Sequence, residues 1–413
     1  MRKVLSTSAY SSILLHLLFF SFIILFISLG TNFKFHITSI VTGALSFVVL
    51  FFWWVTYRLP APRILLFPFI FLFFVVVTPG NFFIDARIAV RLACGLLSGV
   101  ALTFFFEQLS IKFIAISVVM LVVSVICYAI FISITEFSFP ERLAMHLGNP
   151  QLLGYVTAFA IVTIVAFFES APWKNKKISY PILFILLLTA LLTVSRSTYL
   201  GLIVFCIGYL GLYKKKISLR IVIAVIVALA LTYPMLSHTQ QSRIVKAATV
   251  PLTDITVKIR MGIWKSALDG FFDAPLVGNG VRSFTDYDCN YRKTHNKELS
   301  SSPYILTDTT SRWAHPHSLL LTTLYGWGVV GTILFVLSFV PAFAYTDWQK
   351  DKYFILSLLF TFGFSFADVY IKSNMGAFYM FFPLGMTYGS YLNKLYSSHD
   401  GRPFTPLLLT YKI

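Results

Sequence analysis

Twelve apolar stretches separated by polar connections run along almost the whole chain, at residues 10–29, 37–55, 64–77, 88–106, 113–135, 152–168, 182–194, 199–213, 221–233, 319–345, 353–369 and 377–391. No other feature limits the possible folds as strongly. A helix needs about 20 mainly apolar residues to cross roughly 30 Å of hydrocarbon, and apolar runs recurring this often have nowhere to go except a bilayer. Several runs fall short of that length, so their helices extend into flanking aromatic or basic residues, and an even number of spans is a firmer expectation than twelve. The first run is longer than a signal-peptide core and no small-residue cleavage site follows it, which makes it a retained helix. Composition agrees, at 57% hydrophobic and 12% charged residues, where soluble domains average about 45–50% and 25%. A disordered chain, a disulfide scaffold and a single-pass receptor are excluded. The expected fold class is all-α: a polytopic membrane protein with about twelve transmembrane helices and one large, partly helical external loop.

The net charge of +17 would suit a nucleic-acid partner unless the basic residues mark topology. With Arg2 and Lys3 cytoplasmic, alternate connections carry Arg58 and Arg63, then Lys112, then Lys174, Lys176 and Lys177, then Lys214, Lys215, Lys216 and Arg220, then Lys350 and Lys352, as the positive-inside rule requires. The opposite short connections hold only Lys34, Arg87, Arg142, Arg196 and Lys372, with Arg91 one turn inside a span. Both termini are therefore expected in the cytoplasm, most of the charge is topogenic, and no nucleic acid is called for. Four cysteines, Cys94, Cys127, Cys206 and Cys289, show neither disulfide nor metal-ligand spacing.

This organisation divides the chain into helices one to nine at 1–235, a polar external loop at 236–316, helices ten to twelve at 317–393, and a cytoplasmic tail at 394–413. The loop holds ten Lys and Arg and seven Asp and Glu. A connection of that length without structure of its own is unusual. Its middle favours folding: Thr253 or Asp254 can cap a helix whose Ile255, Ile259, Ile263, Ala267 and Phe271 recur at turn spacing, until Gly270 with Asp273-Ala274-Pro275 breaks it.

Ionisable residues at the external boundary are the informative ones, because charge in or near hydrocarbon costs several kcal/mol unless paired, hydrated or useful. Arg196, in Thr193-Val194-Ser195-Arg196, sits in a turn so short that it lies close to the membrane surface, where its guanidinium either snorkels or forks onto a phosphate. Arg260 on the loop helix shares a face with Trp264 one turn later, so the pair can meet a substrate or solvent. Pro275-Leu276-Val277-Gly278-Asn279-Gly280 forms a tight turn that matches no phosphate-loop fingerprint. His315-Pro316-His317-Ser318 stands where the loop re-enters the membrane. With no carboxylate or cysteine cluster nearby, zinc is disfavoured, and a general base acting on a hydroxyl competes with a boundary histidine bonded to backbone. Beyond it, Gly326, Gly328 and Gly331 are expected to let the following helix pack closely on a neighbour. Arg87 and Arg91, one turn apart, repel each other unless an anion or Asp85 sits between them, which makes them secondary candidates for holding phosphate. Asp368 and Lys372 form a second pair, expected to neutralise itself.

Ser195-Arg196 at an external turn, Arg260-Met261-Gly262-Ile263-Trp264, the Asp273-to-Gly280 turn, and His317-Ser318 with Gly328 and Gly331 beyond resemble the bacterial O-antigen ligase family in order and spacing. The resemblance covers roughly residues 155–345. It implies a membrane-embedded, inverting glycosyltransferase without metal or other cofactor. Such an enzyme moves a glycan from undecaprenyl diphosphate to lipid A–core at the periplasmic face of the bacterial inner membrane. It further implies that Arg196 and Arg260 hold the diphosphate while His317 activates or orients the acceptor hydroxyl. Trp264, His315, Arg87 and Arg91 are expected around the substrates. His315 leaves open which imidazole acts, although the Ser after His317 and the glycine spacing favour His317. O-antigen polymerases and protein O-oligosaccharyltransferases share the loop architecture and the donor. The ligase is favoured because the chain is compact and lacks the extra C-terminal domain of many protein-directed relatives. A flippase or transporter of polysaccharide or lipid would instead place its charges near the membrane midplane. The sequence carries no signal for oligomeric state.

Overall fold

In a computed structural model of the chain, the described residues are 13–25, 35–57, 65–77, 86–105, 121–123, 125–127, 150–170, 176–193, 195–213, 234, 241–242, 255–295, 315–345, 352–367 and 374–399. Among them the protein is helical, with no strand. The helices are α1 (Ile13–Leu25), α2 (Phe35–Tyr57), α3 (Leu66–Val77), α4 (Ala86–Phe105), α5 (Pro150–Ser170), α6 (Lys176–Leu192) and α7 (Arg196–Tyr213). After them come α8 (Ile255–Asp273), a single 3-10 turn (Val281–Ser283), α9 (Phe284–Thr294), α10 (Leu319–Tyr345), α11 (Lys352–Ala367) and α12 (Asn374–His399).

Among the described residues, three stretches are long and apolar enough to cross a membrane, Ile37–Val55, Ala86–Phe105 and Leu319–Ala344, and shorter apolar helices fall within six further runs of the sequence. Most of the runs at 113–135 and 221–233 lie outside the described residues, so twelve spans remain an expectation. Hydroxyls in these helices bond back to their own backbone, as Ser46 does to the Thr42 carbonyl at 2.7 Å and Thr361 to that of Ser357 at 2.8 Å. That keeps these two hydroxyls from facing lipid unpaired.

Small residues set the close approaches between helices. Gly99 lies against the backbone of Phe382 and Met386, and the Thr103 hydroxyl donates to the Met386 carbonyl at 3.0 Å, which locks α4 onto α12. Phe71 of α3 meets Trp327 of α10 edge-on at 5.0 Å and stacks on Phe381 of α12 at 5.9 Å, joining three helices in one aromatic core.

Within the polar loop α8 forms where the helical spacing predicts it, and with α9, which that spacing did not announce, it makes a hairpin on α10. Two details of the helix ends differ from the sequence reading. Gly270 does not stop α8 but lies inside it, where a Cβ would run into the rings of Tyr325 and Tyr287. Gly328, read as a packing glycine within a continuous span, breaks α10, with φ 61° and ψ −166°, a conformation that is almost confined to glycine.

The break receives the Pro275–Gly280 turn. Val329 and Val330 donate their N–H groups to the carbonyls of Pro275 (2.8 Å) and Leu276 (3.1 Å), while those of Tyr325 and Gly326 accept from Asn279 (2.8 Å) and Gly280 (2.9 Å). In an unbroken helix Val329 would bond Tyr325 and Val330 would bond Gly326. The inserted turn thus takes up every group those two missing bonds release.

Gly328→Ala should cost at least about 1–3 kcal/mol from backbone strain alone, besides driving a Cβ into the Leu276 carbonyl. Thermal unfolding in detergent should show a clear drop for Gly328→Ala and none for Gly211→Ala, whose added Cβ would meet open space; equal melting of the two variants would contradict this account of the break.

Candidate active site

The hairpin is held by an apolar face and a polar lattice. Ile263 and Ala267 of α8, Phe284 of α9 and Tyr325 of α10 bury one another, with Ile259, Tyr287 and Leu321 around them. On the polar side Asp288, fully buried, binds the Arg292 guanidinium one turn later at 2.8 Å and accepts from the Ser266 hydroxyl at 2.6 Å. Burial holds the Asp288 carboxyl above its ordinary value, opposed by the Ser266 hydroxyl and by Arg292. Tyr287 donates to Asp273 at 2.7 Å, and Tyr291 donates to Asp269, which Lys265 also approaches at 3.5 Å. Burial first, and then these bonds to carboxylates, raise both phenols well above the ordinary range, Tyr291 to about 12.

This scaffold positions the histidine turn. The Trp264 indole N–H donates to the Pro316 carbonyl at 2.9 Å, tying α8 to the segment that opens α10. His317 has φ 54°, and among the described residues no other non-glycine residue has positive φ. Histidine tolerates the left-handed region better than most side chains, yet the conformation is uncommon and marks a constrained position. The His317 N–H donates to Nδ1 of His315 at 3.2 Å, with ring centroids 4.4 Å apart. The two imidazoles are therefore not equivalent: His315 spends a ring nitrogen as acceptor on the turn's backbone, and the turn is built around His317.

Arg260 lies half-buried on α8 one turn before Trp264, so the anchor that fixes the histidine turn also fixes the arginine's helix beside it. Trp264 thereby has a positioning role that its spacing from Arg260 did not reveal. Ser195 is buried, and its Oγ accepts from the Thr198 N–H at 3.4 Å as an N-cap, which puts Arg196 in the first turn of α7. The Arg196 side chain is outside the described residues. Its helix packs on α11 and α5, whereas α8 packs on α10. Arg87 is exposed and Arg91 half-buried on α4; Asp85, Asp368 and Lys372 are outside the described residues.

Sequence reasoning missed Arg282. It sits in the 3-10 turn two residues after Gly280, and its buried Nε has no hydrogen-bond partner among the described residues. Its place directly after the glycine turn was the available signal. Among the described residues no cluster of three or more His, Cys, Asp or Glu could hold a metal, and all four cysteines are free.

Residues 181–336 match the family model described as O-antigen ligase, and this stretch takes in Arg196, the α8–α9 hairpin, the histidine turn and the break in α10. Over that stretch the chain is similar to the O-antigen ligase family. That family is associated with membrane glycosyltransferases of ligase or polymerase type and with lipid-linked glycan substrates in general. An uncharacterized protein of Haemophilus influenzae is 24% identical over 213 residues, which is 49% of this chain and 51% of that protein. The match thus spans about half the length of the relative. Within the matched stretch, the hairpin is the part whose folding can be tested without substrate. Asp288→Ala strands Arg292 in the interior and should destabilise the protein by about 3–5 kcal/mol, seen as early loss of hairpin amide protection in hydrogen exchange. Because the Tyr291 phenol is raised on folding, its contribution is intact below its ordinary 10.0 and is lost as pH climbs toward about 12. Tyrosinate absorbance should place that titration above pH 10 in the folded protein, and Tyr291→Phe should remove it.

Proposed function

We propose that this protein is an O-antigen ligase that transfers a glycan from undecaprenyl diphosphate to lipid A–core at the periplasmic face of the inner membrane. The observation carrying this reading is that Trp264 fixes the Arg260 helix to the strained His317 turn at the mouth of an apolar helix. In this reading a cation and a base stand on two elements joined by that hydrogen bond, where the polar loop would meet the membrane.

The chemistry asks for that pairing. An acceptor hydroxyl attacks the anomeric carbon with inversion, the bond from that carbon to the lipid diphosphate breaks, and the hydroxyl proton passes to the His317 imidazole. Negative charge grows on the departing diphosphate, where the Arg260 and Arg196 guanidinia counter it by forked hydrogen bonds. His315, bonded through Nδ1 to the His317 backbone, keeps the base in place. Both lipids reach such a site laterally from the bilayer, and no metal is required by the scheme.

His317→Ala should lower transfer by about 10²–10⁴-fold, the usual contribution of a general base, and Arg260→Ala by about 10²–10³-fold, as for loss of a charge-stabilising donor, with both proteins still membrane-inserted. Deletion of the gene gives the decisive phenotype. Bare lipid A–core with accumulated lipid-linked polymer supports the ligase; core capped by a single repeat unit means a polymerase; donor trapped on the cytoplasmic face means a flippase. Full transfer by the His317 variant would sink the mechanism.

A further inference from the structure

We infer that the tip of the hairpin, Leu268 and Phe272 of α8 with Leu276 and Val277 of the turn that follows, is a membrane-contact surface that rests on the acyl chains of the bilayer leaflet nearest the loop. The inference does not depend on the proposed glycosyltransferase chemistry. α10 supplies the surface that these side chains continue. Val329, Ile333, Val336 and Val340 recur along it at turn spacing, all exposed, on a helix long and apolar enough to cross a membrane, and such a row is a lipid-facing stripe. The turn joins the head of the stripe. Val329 donates to the Pro275 carbonyl at 2.8 Å, and Val330, exposed beside it, donates to that of Leu276 at 3.1 Å. Leu276, Val277, Val329 and Val330 therefore form one apolar rim. Phe272 is 69% exposed and Leu276 66%, more than any side chain of the stripe itself.

The depth of the turn agrees. From Val329 to Tyr345, where α10 ends and the chain turns polar with Asp347, Lys350 and Asp351, the helix rises roughly 25 Å at 1.5 Å per residue. Hydrocarbon about 30 Å thick, with its far edge at Tyr345, reaches a few ångströms beyond the turn. Irregular backbone at that depth has to be satisfied by protein, and this turn meets the condition. Besides the two carbonyls given to α10, the N–H groups of Gly278, Asn279 and Gly280 donate to the carbonyls of Ala274, Tyr325 and Gly326 at 2.9, 2.8 and 2.9 Å, and Pro275 has no N–H to satisfy. Asp273 limits the penetration. It is exposed beside Phe272, and its carboxylate accepts from the Tyr287 hydroxyl at 2.7 Å. A charge so placed is tolerated where headgroups and water reach it, not deep in hydrocarbon. The tip is thus seated at the acyl boundary, with Phe272 and Leu276 among the chains and Asp273 at the headgroups.

Spin labels read the surroundings of these side chains directly. In the full-length protein in nanodiscs, with the exposed Cys127 and Cys206 replaced by alanine, nitroxides are attached through Phe272→Cys and Leu276→Cys. Reference labels go on Val336→Cys in the stripe and on Asn290→Cys, exposed on α9. Relaxation by oxygen, which concentrates among acyl chains, is compared with relaxation by a water-soluble nickel chelate. The labels at Phe272 and Leu276 should give oxygen-to-nickel ratios several-fold above that at Asn290 and close to that at Val336. Ratios equal to that at Asn290 place the tip in water and overturn the inference. Labels screened from both reagents mean that protein covers the rim, either a second copy or another segment of this chain, and overturn it equally. Where the label at Leu276 disturbs the turn, seen as lost hairpin amide protection in hydrogen exchange, Phe272→Cys decides alone, because Phe272 is not among the side chains buried in the hairpin.

Discussion

The fold depends on one exchange of hydrogen bonds. Between Tyr325 and Val330 the helix gives up two of its own bonds, and the Pro275–Gly280 turn supplies four replacements, two donors and two acceptors. Inside an apolar bundle an unsatisfied peptide group costs several kcal/mol. The break and the turn are therefore each untenable without the other. Both glycines at the contact are there for space as well as dihedral freedom. A Cβ on Gly278 would stand 2.5 Å from the Gly326 carbonyl and the Trp327 nitrogen, and one on Gly328 would collide with Leu276. A polar loop that could otherwise swing over the bilayer is in this way stitched into the middle of an apolar helix.

From that stitch the positions of the other groups follow. The hairpin cannot tilt away from α10, so Trp264 can reach Pro316, and the chain entering α10 is held in the strained turn at His317. The buried Asp288–Arg292 pair serves the hairpin alone. A buried ion pair adds little net stability over an apolar pair, but it tolerates no alternative register once Ser266 and Arg292 both converge on one carboxylate. Asp269, Asp273, Asp288 and Arg292 are thus the loop charges that fix its shape.

The sequence made the apolar helices and α8 legible because both follow from periodicity alone, and Ile263 and Ala267 are buried as their spacing requires. It did not reveal the break at Gly328, because a glycine that permits close packing and one that permits positive φ look identical in a string of letters. Gly270 was misjudged for the same reason: a helix stop and a close helix crossing both ask for a missing side chain. Trp264 shares a face with Arg260, as its spacing says, yet the partner of its indole N–H is a carbonyl 52 residues away, beyond any local pattern.

A site that handles two lipids faces a conflict between access and precision. Lateral entry requires an open flank, whereas displacement at an anomeric carbon requires donors and base held to within a fraction of an ångström. A flexible lid would resolve this by closing, at the cost of ordering a long loop in every turnover. The arrangement seen here removes that cost for the α8–α9 hairpin, because its turn is anchored by groups that the helix must satisfy in any case. Under the proposed chemistry, specificity varies through residues on the open flank without disturbing the stitch. The apolar rim beside Arg282 is the part of the surface free to do so, since Leu276 and Val277 contribute backbone to the break and leave their side chains outside it.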